Sequence, residues 1–441
     1  VAASLLGAAA LYSRIEDAMK KLAQLVLLLS AATGMFAQTS IPSAGSTPSP
    51  AEQSMAQAHR LIERNPKNYE AYNSLALALS RRARETSDVK FYAEAEETLK
   101  RSFEISPDNF DGKRIQVWLL LGKHEFAMAR EAALKLNKKM PDDVMVYGFL
   151  TDANAELGNY DEAEKSAQLM LDLRPGNSPG VTRAAYLREL FGDVDGALEL
   201  MNMALASTSP SEGEDAAWIL TQMAHLQLSV GRVGDAEKNL HQALTLFPGY
   251  HYALGNLAKL RTEQKRYDEA VQLLQHRYQA APHAENLFDL AEALQKANRT
   301  QEAKSAFAEF EQKSLLEIDR GDNSNRELIF YYADYAHEPL NALEIARREF
   351  ARRHDVYTLD SYAWALHVNG KDQEAREQIE KALAVGIRDA RLFRHAGEIA
   401  VGAGDQAAAE KYLRLSAETN TAESWRAKAT LARLSPRPTS Q

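Results

Sequence analysis

Cysteine is absent from the 441 residues. That excludes thiol catalysis, disulfides, thiolate metal sites and lipid attachment through sulfur. Histidine is sparse, with 11 residues that form neither an HExxH motif nor a pair at ligand spacing, so no metal is expected. Glycines stand singly and build no phosphate-cradling loop, and no other feature calls for a cofactor. There is no long basic run, the formal net charge is -9 and the pI is near 5.8, which speaks against a nucleic-acid partner. Beyond residue 38 no apolar stretch approaches the roughly 20 residues of a membrane span, so the mature form is not expected to cross a bilayer. β-Branched residues are few.

What fills the sequence is alanine and leucine, a helical palette. Near the start, Met19 is followed by Lys20 and Lys21, an apolar run from Leu22 to Ala32, and small or turn-prone residues ending at Ala37. These are the three regions of a secretory signal, predicting export to the periplasm or beyond, with Gln38 as the first mature residue. Residues 1–18 then read as an extension upstream of the true start. The competing reading makes residues 1–37 a retained membrane anchor. Residues 38–50 (QTSIPSAGSTPSP) have nothing to bury and read as a disordered linker.

From residue 51 one phrase returns. It is GNYDEAEKSAQLMLDLRPGN at 158–177, GRVGDAEKNLHQALTLFPGY at 231–250 and KRYDEAVQLLQHRYQAAPHA at 265–284. Pro248 and Pro282 lie 34 residues apart, as do Ala129, Ala163 and Ala197 in succession. Small residues recur where two helix axes cross, and proline stops the second helix of each pair by removing a donor and clashing with the preceding turn. Asp161, Glu162, Asp268 and Glu269 of the recurring DEA turn are placed at helix starts, where carboxylates meet unpaired N–H groups. They are not read as catalytic acids.

This pattern resembles the tetratricopeptide repeat family over residues 51–423. The resemblance implies an all-α, right-handed superhelical solenoid of antiparallel helix pairs. Ten repeats are expected: 69–109, 110–143, 144–177, 178–211, 217–250, 251–283, 284–317, 323–355, 356–389 and 390–423. A half-repeat precedes them, and a helical remnant with a frayed tail (424–441) follows. Repeat 1 carries about seven extra residues near RRARETSD (81–88), expected between its helices. The joints near 209–216 and 312–323 are irregular, and Phe330 replaces the small first-helix residue of its repeat.

The family also implies a concave face, lined by first helices, that holds a peptide or helix. Its inward positions fall here on Trp118, Tyr186, Trp218, His225, Tyr252, Lys259, Phe288, Tyr331, Tyr335, Tyr357, Trp364, Arg391 and Arg394. Trp and Tyr combine large contact area with a polar handle, which suits a binding groove, although rings at such positions also cover the seams between repeats. The expected function is a non-catalytic scaffold or adaptor of the cell envelope that binds a protein or peptide. A structural homo-oligomer and an enzyme with an unrecognised site are the competing readings.

Overall fold

The computed structural model describes residues 48–209, 212–418 and 422–434. The expected export signal, the expected upstream extension, most of the expected linker and the tail lie outside the described residues. Pro48–Ser49 lead into α1 (Pro50–Arg64), whose start is fixed by a reciprocal box. Ser49 accepts from the Glu52 N–H, and the Glu52 carboxylate accepts from the Ser49 N–H.

Ten antiparallel helix pairs follow, and no strand occurs among the described residues. They are α2 (Tyr69–Thr86) with α3 (Lys90–Ile105), α4 (Phe110–Gly122) with α5 (Phe126–Lys139), and α6 (Val144–Glu156) with α7 (Tyr160–Leu173). Then come α8 (Ser178–Leu190) with α9 (Val194–Ser207), α10 (Gly213–Ser229) with α11 (Val233–Leu246), and α12 (His251–Glu263) with α13 (Tyr267–Ala280). The last four are α14 (Ala284–Lys296) with α15 (Thr300–Glu317), α16 (Asn325–Phe330) with α17 (Pro339–Arg352), α18 (Val356–Val368) with α19 (Asp372–Val385), and α20 (Ala390–Gly402) with α21 (Gln406–Glu418). A final helix, α22 (Ala422–Leu434), covers the end.

The recurring small residues stand where two helices meet. Ala163, Ala197, Ala236, Ala270, Ala342, Ala375 and Ala409 are all completely buried. At Gly397 a Cβ would stand 2.5 Å from Leu413 Cγ, so nothing larger than glycine fits the α20–α21 crossing as it is packed. First helices begin on a side-chain cap two residues after the closing proline. Asn109, Asp143 and Asn177 follow Pro107, Pro141 and Pro175 and accept from the N–H groups of Gly112, Val146 and Gly180. The DEA carboxylates behave differently. Asp161 and Glu162 lie in the first turn of α7, whose Asn159 N-cap makes no side-chain cap bond, so they act there through the dipole alone.

Two local departures matter for function. The extra residues of repeat 1 do not form a loop between helices; most of them lengthen α2 by about a turn, to Thr86, before Ser87 turns the chain at a φ of 49°. In the eighth repeat, Phe330 is 2% exposed, and α16 runs into a π-helical turn over Tyr331–Tyr335. The bulky ring at the usual small position is accommodated by this wider turn. It sits beneath the guanidinium of Arg391, 4.9 Å from the ring centre.

The array winds back onto itself. The Val356 N–H donates to the Tyr160 hydroxyl at 2.8 Å, joining residues 196 positions apart. Contacts with a similar offset repeat along the seam. A Cβ on Gly158 would lie 2.6 Å from the His354 carbonyl, one on Gly192 would lie 2.5 Å from that of Gly386, and one on Gly321 would lie 2.2 Å from that of Lys123. Arg353 reaches Glu156 at 3.6 Å. Helix-turn tips of repeats 2 to 4 thus rest against junctions between repeats 7 and 10.

Candidate binding groove

The first helices of repeats 1 to 5 surround a cavity of about 720 Å³. Its apolar wall is built from Leu77 of α2, Ile115 and Trp118 of α4, Met145 and Phe149 of α6, and Trp218 and Ile219 of α10. Trp118 meets Phe149 edge-to-face, with centroids 6.2 Å apart. Tyr186 of α8 completes the aromatic lining and donates its hydroxyl to Glu156 at 3.3 Å. Three of the sequence-predicted positions, Trp118, Tyr186 and Trp218, therefore converge on one space. Each is only partly buried.

Polar residues ring this wall. Arg114 is held by Asp111 and Asp143 at 2.6 and 2.9 Å, and Arg183 by Asp152 at 2.6 Å. Arg84, on the added turn of α2, bridges to Glu214 of α10 at 2.5 Å and to Asp215 at 3.6 Å. Its carbonyl also accepts from His251 Nε2 at 3.0 Å. Burial, opposed only in part by that hydrogen bond, pulls the His251 imidazole down to about 4, so it is neutral at pH 7. The added turn of repeat 1 is thereby tied to α10 of repeat 5 and to the start of α12 in repeat 6, and the groove becomes a cup with a closed side. Arg81, one turn before Arg84, also lines the cup, yet no ion pair or hydrogen bond engages its guanidinium among the described residues.

The remaining predicted positions go elsewhere. His225, Lys259, Phe288 and Arg391 border a second, smaller cavity of about 310 Å³ between α10, α12, α14 and α20. Burial pulls the His225 imidazole down, but the Glu189 carboxylate at 2.9 Å outweighs it and the net shift is upward. Within the same cavity, burial pushes the Glu263 carboxyl up to about 7 against the attraction of Lys259 and Lys296. Phe288 is 2% exposed and packs on Phe307 and Phe310, so it belongs to the core. Trp364 and Arg394 are also core. Trp364 stacks on His395 at 4.2 Å and donates its indole N–H to Asp334 at 2.9 Å. Arg394 lies over Trp364 and pairs with Glu423 at 2.6 Å. Both face inward because this neighbourhood buries a charged cluster that needs partners, and the sequence position alone does not reveal that demand.

Tyr252, Tyr331, Tyr335 and Tyr357 are half-buried seam residues. Tyr252 packs on His251 at 3.9 Å, and Tyr331 and Tyr335 pack on Phe307. Tyr357 lies under Arg326 at 4.7 Å. Sequence reasoning missed Arg81 and Arg84. The signal was there in the irregular RRARETSD stretch, which breaks the repeat's length and concentrates arginine. Among the described residues no group of three or more acidic or histidine side chains is disposed to hold a metal, and no helix is long and apolar enough to cross a membrane.

Family models described as tetratricopeptide repeat match residues 116–178 and 227–283. Those two stretches carry tetratricopeptide repeats. Both matched stretches fall within the ten helix pairs, and the first contains Trp118, Phe149 and Asp152 of the cup. Among solved structures, the repeat array is similar to human IFIT1 in a dimer with PPP-AAAA, at 12% identity over 84% of this chain and 95% of that one, with a TM-score of 0.48. It is similar to a chain of the APC/C hetero-tetramer Cut9-Hcn1 at 12% identity over 80% of this chain, with a TM-score of 0.47, and spans 60% of that chain. It is similar to yeast Tom70 at 14% identity over 81% of this chain and 95% of that one, with a TM-score of 0.35. No curated protein matches the sequence.

Proposed function

We propose that this repeat array is a non-catalytic scaffold that holds a segment of another protein in the cup formed by repeats 1 to 5. One observation carries the reading. Trp118, Tyr186 and Trp218 come from three separate repeats, remain partly exposed, and share one apolar cavity of about 720 Å³. Trp118 and Trp218 each pack one side against the core of their repeats and leave the rest of the ring to the cavity, and binding surfaces favour such rings. The volume also lies within the range of about 300–1,000 Å³ usual for binding cavities. Export by the Met19–Ala37 signal would put this scaffold in the cell envelope or outside it.

The test is to isolate complexes of the full chain before and after Trp118→Ala and Trp218→Ala are combined. A partner present in fixed stoichiometry with the parent protein and absent from the double variant supports the scaffold reading. Self-association unaffected by the two changes favours the homo-oligomer, for which Leu316 and Leu340, 80% and 77% exposed, are among the exposed apolar side chains.

A further inference from the structure

The polar atoms left over in the cup say what its occupant must bring. Arg114, Arg183 and Arg84 are each neutralised by carboxylates of the chain itself. Arg81 is not, so a whole guanidinium with five N–H donors faces the cup without an acceptor among the described residues. The indole N–H groups of Trp118 and Trp218 have no hydrogen-bond acceptor among those residues either, and Arg84 Nε is shut away from water without a partner. The set is rich in donors. The carboxylates lining the cup without a close partner are Glu212 and the loosely held Asp215, 3.6 Å from Arg84, and both stand at the N-terminus of α10, which offsets their charge.

Geometry limits the occupant further. The Arg84–Glu214 bridge shuts one side of the groove, so a segment enters as an end or a bend and does not lie across all five repeats. We infer that the cup selects a protein segment in which an apolar side chain is flanked on one side by carboxylates, the apolar group entering among Trp118, Phe149 and Trp218 and a carboxylate meeting Arg81. This rests on the reading of the cup as a docking site. Charge-assisted contacts to a planar guanidinium are the strong kind, and satisfying otherwise idle donors adds selectivity over an uncharged or basic segment.

The experiment uses the full chain and two peptides of equal length with acetylated and amidated ends, so that no terminal charge intervenes. Both carry the same Leu-Phe core, flanked by Glu in one and by Lys in the other. Titration followed by calorimetry and tryptophan emission should show the acidic peptide binding at least about ten-fold more tightly at low salt, with the margin shrinking as salt rises. Arg81→Glu should abolish or reverse the preference, and Arg81→Gln should reduce it. Arg81 has no internal partner to lose, so both variants should keep the parent circular dichroism. If the acidic peptide is preferred equally by parent and Arg81→Glu, or if the basic peptide is preferred, the inference fails while the docking reading stands. If neither peptide binds, or binding survives the combined Trp118→Ala and Trp218→Ala change, the docking reading fails and the inference with it.

Discussion

At the scale of single residues, the sequence revealed which positions were special more readily than what they do. Trp118 and Trp364 occupy equivalent first-helix positions, yet one lines a cavity and the other is 5% exposed against His395. The difference arises from Asp334, Glu423 and Arg394, which come from outside its repeat, and from Asp360 one turn away on its own helix; together they surround Trp364 with a buried charged network. Such a network is invisible to a one-repeat template. Burial has a second residue-scale consequence. Glu263 is pushed up to about 7, so the folded chain holds that proton more tightly than the unfolded chain, whose value is near 4.3. Its stabilising contribution is full below the unfolded value and falls as pH rises from about 4.3 to about 7. Glu156 and Glu327, also raised to about 7 by burial, have the same sign. Glu263→Gln should therefore raise the melting temperature at pH 7.5 and change it little at pH 4.5, as thermal scans at the two pH values would show.

At the scale of elements, regular repeats were legible and their exceptions were not. The alanines, closing prolines and caps that mark regular helix pairs act locally, through crossing distance, chain termination and unpaired N–H groups. The added residues of repeat 1 were expected between helices. Instead they lengthen α2, since RRARE has good helix propensity and its side chains find partners across the groove in Glu214 and across the capped start in Ser49. This turn acts as a latch. Arg84→Ala would strand the Glu214 carboxylate, which is 10% exposed, and should cost about 2 kcal/mol once the exposed third of Arg84 is discounted. Denaturant titration would measure that loss, and iodide quenching of Trp118 and Trp218 should rise as the cup opens. Replacing both partners, Arg84→Met with Glu214→Leu, should cost less, because no buried charge is then left alone.

At the scale of the whole molecule, the seam between chain segments nearly 200 residues apart could not be seen in the repeats, which encode only neighbour contacts. It is written in glycines. Gly158 and Gly370 are equivalent turn residues with φ of 79° and 70°, but a Cβ on Gly158 meets the His354 carbonyl at 2.6 Å while one on Gly370 meets nothing within 4 Å. Gly370→Ala should cost only the left-handed backbone penalty, about 1 kcal/mol, and Gly158→Ala distinctly more. Comparative unfolding of the two variants isolates the seam. The proposed export signal makes an independent prediction: the amino-terminal residue of protein recovered from the native cell should be Gln38, and recovery of residues before Met19 would instead favour a retained extension.

The scaffold role turns on where a partner touches the array. A photo-cross-linking side chain placed at Thr182, on the cup, and separately at Glu344, on the outer surface of α17, addresses that contact directly. The cup position should give one dominant adduct with a second protein, lost when Trp118 and Trp218 are changed to alanine, and the outer position should give none. Equal adducts at both positions, or adducts formed only between copies of this chain, would contradict it.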